Sequence, residues 1–205
     1  MAFSLPLQPL DYVGVAVFAI SGALAAARGR QDPVTFAAFA IVTGVGGGTL
    51  RDLLIGAPVF WVHDPGYIYV SLAAAAAVWI AGERPWRSQA LAWFDGVGLA
   101  AYAILGAAKG MNAHVSPPIA IVMGTLTATF GGILRDLLAG QPSVLLRREI
   151  YITAAVLAAT VFVVVSQFTN ATIAAVVAFI AGFGLRAGAI AYGWTLPSFT
   201  RSDAA

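Results

Sequence analysis

A ten-residue stretch in the first half of the chain, Gly47–Gly56 (GGTLRDLLIG), returns almost unchanged as Gly131–Gly140 (GGILRDLLAG). The flanking sequence aligns at the same offset of 84 residues without a gap. The other matched positions hold acidic, proline, hydroxyl and aromatic residues: Asp11 with Asp95, Pro33 with Pro117, Thr43 with Thr127, Pro58 with Pro142 and Tyr67 with Tyr151. An apolar composition aligns Ala and Val by chance but does not align these residues. The chain therefore contains an internal repeat.

The composition of the chain excludes a soluble enzyme. Of its 205 residues, 60% are hydrophobic and 10% are charged, whereas an ordinary soluble domain is about 25% charged and about 45–50% apolar. The net charge of +2 is too small and too scattered to indicate a nucleic-acid partner. The chain has no cysteine, so disulfides and thiolate metal sites are excluded. These features predict an integral membrane protein.

Seven hydrophobic stretches predict an all-α membrane protein, with the whole chain 1–205 as a single transmembrane domain. Each stretch is near the length of about 20 residues that a helix needs to cross a bilayer. Runs such as 72–81 do not alternate in polarity, which argues against a β-barrel. The predicted helices cover residues 10–27, 34–56, 67–82, 90–111, 117–140, 150–167 and 171–193.

Basic residues in the short loops predict the orientation, because they concentrate on the cytoplasmic side. The first, third and fifth connections and the C-terminal end hold Arg28, Arg30, Arg84, Arg87, Arg147, Arg148, Arg186 and Arg201. The N-terminus and the other connections hold none, and only Lys109 lies near that side. We therefore expect the N-terminus outside and the C-terminus in the cytoplasm, with an odd number of helices.

The repeat and the helix count together predict an inverted architecture. Repeat one covers about 10–85 and repeat two about 90–168, with three helices each, so the second repeat enters the membrane from the opposite side. The seventh helix, about 171–193, is an addition. Inverted repeats with interrupted helices are typical of transport proteins and indicate a pathway near the midplane, between the two halves.

Glycines interrupt the second and fifth helices at matched positions: Gly44, Gly46, Gly47 and Gly48, then Gly131 and Gly132. One interpretation is a kink at mid-membrane, whose free carbonyls and amides line a wet pathway. The other is close helix packing through small residues. The paired positions favour the kinked pathway, and the packing interpretation stays open.

Two charged pairs, Arg51–Asp52 and Arg135–Asp136, follow the glycines within the hydrophobic stretches. Charges at membrane depth are costly and normally face the protein interior or water. Helix neighbours point about 100° apart, so we expect Asp to accept from amides freed at a kink while Arg crosses to another helix. The pairs could form a pathway or gate, or a network that locks the two halves together.

Other polar residues near these motifs carry weaker predictions. Ser and Thr, including Thr43 and Thr127, could replace part of an ion's hydration shell, but each could equally bond back to its own helix. Lys109 is expected to snorkel to the outer interface, with gating of the outer mouth as the alternative. Asp11 and Asp95 begin equivalent helices, where we expect them to cap free amides.

No feature of the sequence predicts an enzyme, a cofactor or a metal. His63 and His114 are isolated residues in outer connections. A phosphate-binding glycine loop would precede a helix after a strand, and the glycines at 44–48 lie inside a membrane helix instead. Catalysis is therefore not expected.

The two repeats, each with Gly-Gly-x-Leu-Arg-Asp-Leu-Leu ending its second helix, together with the seventh helix resemble the prokaryotic branch of the trimeric intracellular cation (TRIC) channels. The resemblance implies a homotrimer in lipid, with one pore in each subunit. It implies that the kinked second and fifth helices line this pore, which passes chiefly potassium and also sodium. The first repeat has Gly46 where the second has Phe130, so we expect unequal kinks, with Phe130 narrowing or gating one side.

Two functions follow from this resemblance. The leading one is a passive cation channel. The same bacterial family has also been described as glycine transporters, so the alternative is a secondary transporter for a small amino acid such as glycine. Inverted repeats and broken helices fit both, because the N-terminal end of a half-helix can hold a substrate carboxylate as well as shape a pore.

Overall fold

The computed structural model describes residues 7–82 and 87–197. It contains seven α-helices: α1 (Leu7–Arg28), α2 (Pro33–Leu54), α3 (Gly66–Ala81), α4 (Arg87–Asn112), α5 (Pro117–Leu138), α6 (Ile152–Val165) and α7 (Ala171–Tyr192). A short 3-10 helix, Val144–Leu146, lies between α5 and α6. The predicted all-helical fold is confirmed, and the described residues form no strand beyond one isolated bridge, Glu149 with Thr195.

Five of the helices, α1, α2, α4, α5 and α7, are long and apolar enough to cross a membrane, while α3 and α6 are shorter apolar helices among the described residues. Local sequence sets their ends. Asp32 caps α2 by accepting from the amides of Val34 and Thr35 at 2.8 and 3.0 Å, and α2 and α5 both begin with proline, whose missing amide costs nothing there. Gly193, at φ +68°, ends α7.

The helices pack as two groups of three. In the first group α1 packs against α2 and α3, and in the second α4 packs against α5 and α6. The groups meet where α1 packs on α4 and α2 on α5, and α7 covers α4 and α6. The innermost helices are α1 and α4, and the long helix with the most exposed surface is α7.

Helices α2 and α5 run without interruption through their glycine clusters. The bend that the sequence predicts at these glycines stays a prediction. Arg84 and Arg201, which contribute to the predicted orientation, lie outside the described residues, as does the end of the predicted first repeat.

Candidate ion pathway between the two repeats

Helices α2 and α5 approach each other closely at two glycines. A methyl group added at Gly47 would overlap the carbonyl oxygen of Thr127, and one added at Gly131 would overlap the carbonyl oxygen of Thr43. The two contacts are equivalent, because Gly47 matches Gly131 and Thr43 matches Thr127 at the 84-residue offset. Glycine is needed here for a close approach of two backbones. The packing interpretation therefore accounts for Gly47 and Gly131.

Gly44, Gly48 and Gly132 contact aromatic side chains. The ring of Phe60 lies against Gly48, and the hydroxyl of Tyr151 lies against Gly132. The hydroxyl of Tyr102, on α4, donates to the carbonyl oxygen of Gly44 at 3.3 Å. The glycines thus place aromatic residues from neighbouring elements against α2 and α5.

Gly46 and Phe130, which occupy the same position in the two repeats, lie in one shallow apolar groove between α2 and α5. The groove has a volume of about 370 Å³, and its lining also includes Val45, Trp61 and Leu134. Gly46 leaves room for the side chain of Leu134. The structure thus places Phe130 with these apolar groups and not beside the buried charges.

Arg135 organises the first of two buried charged clusters, which we call the inner cluster: Arg135, Asp136, Asp95 and Ser21. Nε and Nη2 of Arg135 donate to the carboxylate of Asp136 at 3.0 and 2.8 Å. Its Nη1 donates to Asp95 at 2.5 Å and to Ser21 at 2.7 Å. Asp136 also accepts from the amide of Val144 at 3.0 Å. The inner cluster therefore joins α1, α4 and α5 and bonds all three guanidinium nitrogens.

The outer cluster comprises Arg51, Asp52, Asp11 and Lys109. Nε of Arg51 donates to Asp52 at 2.8 Å, and Asp52 accepts from the amide of Phe60 at 3.0 Å. Asp11 pairs with Lys109 at 2.5 Å. Nη1 and Nη2 of Arg51 are buried and have no hydrogen-bond partner within the described part of the chain. The arginine of the outer cluster thus makes fewer hydrogen bonds than the arginine of the inner cluster.

The ring of Phe60 lies near both cations of the outer cluster. The guanidinium carbon of Arg51 lies 5.7 Å from the ring centroid, and Nζ of Lys109 lies 5.1 Å from it. Both distances are in the range of cation–π attraction. The ring of Phe60 therefore partly stabilises the charge of Arg51, as the carboxylate of Asp95 stabilises that of Arg135 in the inner cluster.

Three expectations about these charges are wrong. Asp11 and Asp95 do not cap helices, because α1 and α4 begin at Leu7 and Arg87, which places both carboxylates inside the helices, buried and ion-paired. Lys109 does not snorkel outward, since its side chain is 19% exposed and pairs inward. The amides bound by Asp52 and Asp136 come from the connections that follow their helices, and not from glycine kinks.

The threonines in these helices mostly bond back to their own backbone, as one of the two interpretations holds. Thr49, Thr125, Thr127 and Thr129 each donate to the carbonyl four residues earlier, at 2.6–2.9 Å. Oγ1 of Thr43 is buried without a partner among the described residues. The sequence analysis identified Tyr151 only as a matched position of the repeat and did not identify Tyr102, although Tyr102 matches the aromatic Phe18 at the 84-residue offset.

A cavity of about 610 Å³ leads to the inner cluster from the arginine-rich side of the molecule. Its lining includes Arg28, Gln31 and Arg147 at the mouth and Arg135 and Asp136 at depth. This side is the one that the loop charges predict to be cytoplasmic. The cavity gives water a route to the buried charges from that side.

At the opposite side, Asp64 ties the connection between α2 and α3 to α1. It accepts from the hydroxyl of Tyr12 at 2.7 Å and from the amide of Gly66 at 3.0 Å. These hydrogen bonds, that of Tyr12 first, favour the ionised form and hold the pKa of Asp64 below its ordinary value of 3.8. Asp64 therefore contributes an ionised anchor for this connection.

The buried carboxylates are the counterions of buried basic side chains. The described residues contain no group of three or more His, Cys, Asp or Glu side chains that could hold a metal ion. Seven helices, with ionised groups paired in two buried clusters, define a polytopic helical membrane protein whose interior is polar at both ends.

Comparison with known proteins identifies the family. The family described as glycine transporter matches residues 8–83 and again 92–167, two segments that begin 84 residues apart. The UPF0126 inner membrane protein YadS of Escherichia coli (strain K12) is 43% identical over 151 residues, which cover 72% of this chain and 73% of that protein. The chain belongs to this family, the prokaryotic branch of the TRIC channels, which are not enzymes.

Solved structures share the fold over nearly the whole chain. The TRIC trimeric intracellular cation channel orthologue from Rhodobacter sphaeroides is 44% identical and superposes with a TM-score of 0.87, covering 92% of this chain and 98% of that one. A prokaryotic TRIC channel crystallised in 0.5 M KCl is 27% identical, with a TM-score of 0.85 and coverage of 93% and 98%. The predicted TRIC fold is confirmed.

Proposed function

We propose that this protein is a passive channel for monovalent cations, chiefly potassium and also sodium. It works as a homotrimer in the membrane, and each subunit contains its own pore, lined by α2 and α5. The solved relative from Rhodobacter sphaeroides, which is described as a TRIC trimeric intracellular cation channel orthologue, supports this proposal.

A line of buried polar groups between α1, α2, α4 and α5 is the observation that carries the proposal. It begins at the outer cluster and ends at the inner cluster. Between them lie the buried Thr43 and Thr127, at the contacts of α2 and α5 through Gly47 and Gly131, which we call the glycine crossing. Polar groups inside a membrane protein are costly and mark ion or substrate pathways. Neither cluster, as defined, holds more cationic than anionic groups, so neither repels a cation by its net charge.

The glycine crossing is the narrow part of the proposed pore. Gly44, Gly46, Gly47, Gly48, Gly131 and Gly132 lie on the two helices that form it. A small bend there would turn the carbonyls of Thr43 and Thr127 from the opposing glycines toward the ion. Carbonyl oxygens can replace part of the hydration shell of potassium.

The charged residues control entry to this pathway. At the outer end, Lys109 competes with a cation for Asp11 and acts as a gate. At the inner end, Arg135 pairs with Asp95 and with Asp136, and Arg135 and Asp136 line the cavity through which ions pass. Arg51–Asp52 and Arg135–Asp136 also lock α2 and α5 to the connections that follow them. In the apolar groove, Phe130 narrows the space between α2 and α5 on one side.

The protein resides in the inner membrane of a prokaryotic cell, with its N-terminus outside and its C-terminus in the cytoplasm. The loop arginines support this orientation. A reporter fused after Ala205 is then active only as a cytoplasmic reporter. Activity of a periplasmic reporter at that position would contradict the orientation.

Planar-bilayer recording of the purified protein tests the proposal. Potassium and sodium gradients should give unitary currents whose reversal potential follows the cation gradient and does not change on adding glycine. A bilayer without protein and a preparation denatured before reconstitution are the controls. Absence of unitary cation current from a folded trimer would contradict the proposal.

The description of the family as glycine transporter favours a second candidate, a secondary transporter for glycine. In that case Arg51, whose terminal nitrogens lack partners among the described residues, would bind the carboxylate of the amino acid, and Asp11 its ammonium. Saturable glycine uptake into proteoliposomes without unitary current would favour the transporter.

A further inference from the structure

The seventh helix sends one buried arginine toward the inner cluster. Arg186 of α7 is 4% exposed. Its guanidinium donates to the carboxylate of Glu149 at 2.8 Å and to the carbonyl of Ile150 at 3.3 Å, and it lies 5.1 Å from the ring centroid of Tyr151. Arg186 therefore holds three consecutive residues at the end of the α5–α6 connection.

The segment that follows α7 holds the same connection from the other side. Thr195 forms an isolated antiparallel bridge with Glu149, and the amide of Leu196 donates to the carbonyl of Arg148 at 3.0 Å. The ring of Trp194 packs on Gly188. The α5–α6 connection is thus fixed at its C-terminal end by α7 and the residues after it.

The same connection contacts the inner cluster at two points. Val144 donates its amide to Asp136 at 3.0 Å. Tyr151 is fully buried, and its hydroxyl lies against Gly132, where an added methyl group would also come within 3.6 Å of the carboxylate of Asp95. In the first repeat the matched tyrosine, Tyr67, stacks on Tyr12 at a centroid distance of 4.1 Å. Repeat two thus relies on Arg186 for support that the first repeat obtains from Tyr12.

We propose that Arg186 is a positioning residue for ion permeation, which fixes Tyr151 and the α5–α6 connection and thereby the geometry of Asp95, Arg135 and Asp136. Arg186 does not touch the ion. The seventh helix then contributes to the geometry of the inner cluster and is not only an addition to the two repeats. The electrical part of this proposal rests on the proposed channel function.

The test combines electrical recording with a label that reports on the connection without ion flow. Since the chain has no cysteine, Leu145→Cys on the half-exposed 3-10 helix takes a single spin label. In Arg186→Met the label should become more mobile. Single-channel potassium conductance should fall by about two-fold or more, and more for ions entering from the arginine-rich side, so that the current rectifies.

Control variants separate positioning from general stability. Arg148→Met makes the same chemical change at an exposed arginine of the same connection and should leave mobility and current unchanged. Arg186→Lys keeps the ion pair with Glu149 and should restore most of both. Arg186→Met and Tyr151→Leu should be non-additive in rectification, because both act through Tyr151.

The outcomes are distinguishable. An Arg186→Met trimer with wild-type label mobility and wild-type current would overturn the proposal. If wild-type protein carries no cation current while the label still loosens in Arg186→Met, the channel function fails and the support of the connection stands. If Arg186→Met does not assemble, Glu149→Gln replaces it. Unchanged mobility and rectification in Glu149→Gln would then overturn the proposal.

Discussion

The carboxylate of Asp11 pairs with Lys109 at 2.5 Å and forms no ion pair with Arg51. Its counterpart in the second repeat, Asp95, pairs with Arg135 at 2.5 Å. The clusters differ at three matched positions, because Lys109 aligns with Ala25, Ser21 with Leu105 and Phe60 with Val144. Among these, Lys109 adds a second cation, at the outer end of the proposed pathway.

Lys109→Met should increase potassium current. Removing the ammonium leaves Asp11 free to pair with Arg51, as Asp95 pairs with Arg135, and removes one positive charge from the outer mouth. Single-channel recording measures the change, with Lys109→Arg as the control that keeps the charge. Equal or smaller current in an intact Lys109→Met trimer would show that Lys109 is no gate.

Arg135→Met should destabilise the protein more than Arg51→Met. All three guanidinium nitrogens of Arg135 are bonded, and its loss leaves Asp95 buried without a cation, a change that costs about 3–5 kcal/mol. Arg51→Met removes one bonded nitrogen and leaves Asp52 without its cation, but Lys109 still neutralises Asp11. The thermal unfolding midpoint in mild detergent measures both. Equal losses would show that the clusters are equivalent.

Gly47→Ala and Gly131→Ala should each destabilise packing of α2 on α5, by about 1–3 kcal/mol. The added methyl group would overlap a carbonyl oxygen of the opposing helix, which has no room to move as a side chain would. Gly184→Ala on α7 is the matched control, because an added methyl group meets nothing within 4 Å there. Equal thermal stability in all three variants would contradict the close contact of α2 and α5 at these glycines.

Asp64 should make stability depend on pH. Its pKa is lowered in the folded protein, so its contribution is fully present above the ordinary value of 3.8. It is lost as the pH falls through the lower folded value. Thermal unfolding of wild type and Asp64→Asn between neutral and strongly acidic pH should give curves that differ at neutral pH and converge in acid. A constant difference at every pH would be the contrary result.

The helices could be predicted from sequence because the bilayer fixes the length of an apolar run. The predicted 10–27 and 34–56 correspond to Leu7–Arg28 and Pro33–Leu54. The ends at Pro33 and Pro117 follow from proline chemistry alone. The matched Arg-Asp positions likewise indicated the two helices, α2 and α5, that carry Arg51 and Arg135.

The partners of the charged residues could not be predicted from sequence. Asp11 and Lys109 lie far apart in the chain and meet only because α1 packs on α4. Asp11 resembled a cap because it precedes an apolar run, yet α1 begins a turn earlier. Arg186 contributed only to the predicted orientation, because nothing in its local sequence indicates that Glu149 and Tyr151 lie beside it.

The central claim is that cations pass between the repeats at the glycine crossing, and the accessibility of Thr127 to silver ions tests it most directly. Silver is a monovalent cation that reacts with thiols, and the natural chain has no cysteine. Silver should block the potassium current of Thr127→Cys and leave that of wild type unchanged. The matched control is Ile180→Cys, at the 66% exposed Ile180 on the surface of α7, whose current should persist. Undiminished current through a Thr127→Cys channel in silver would contradict the account.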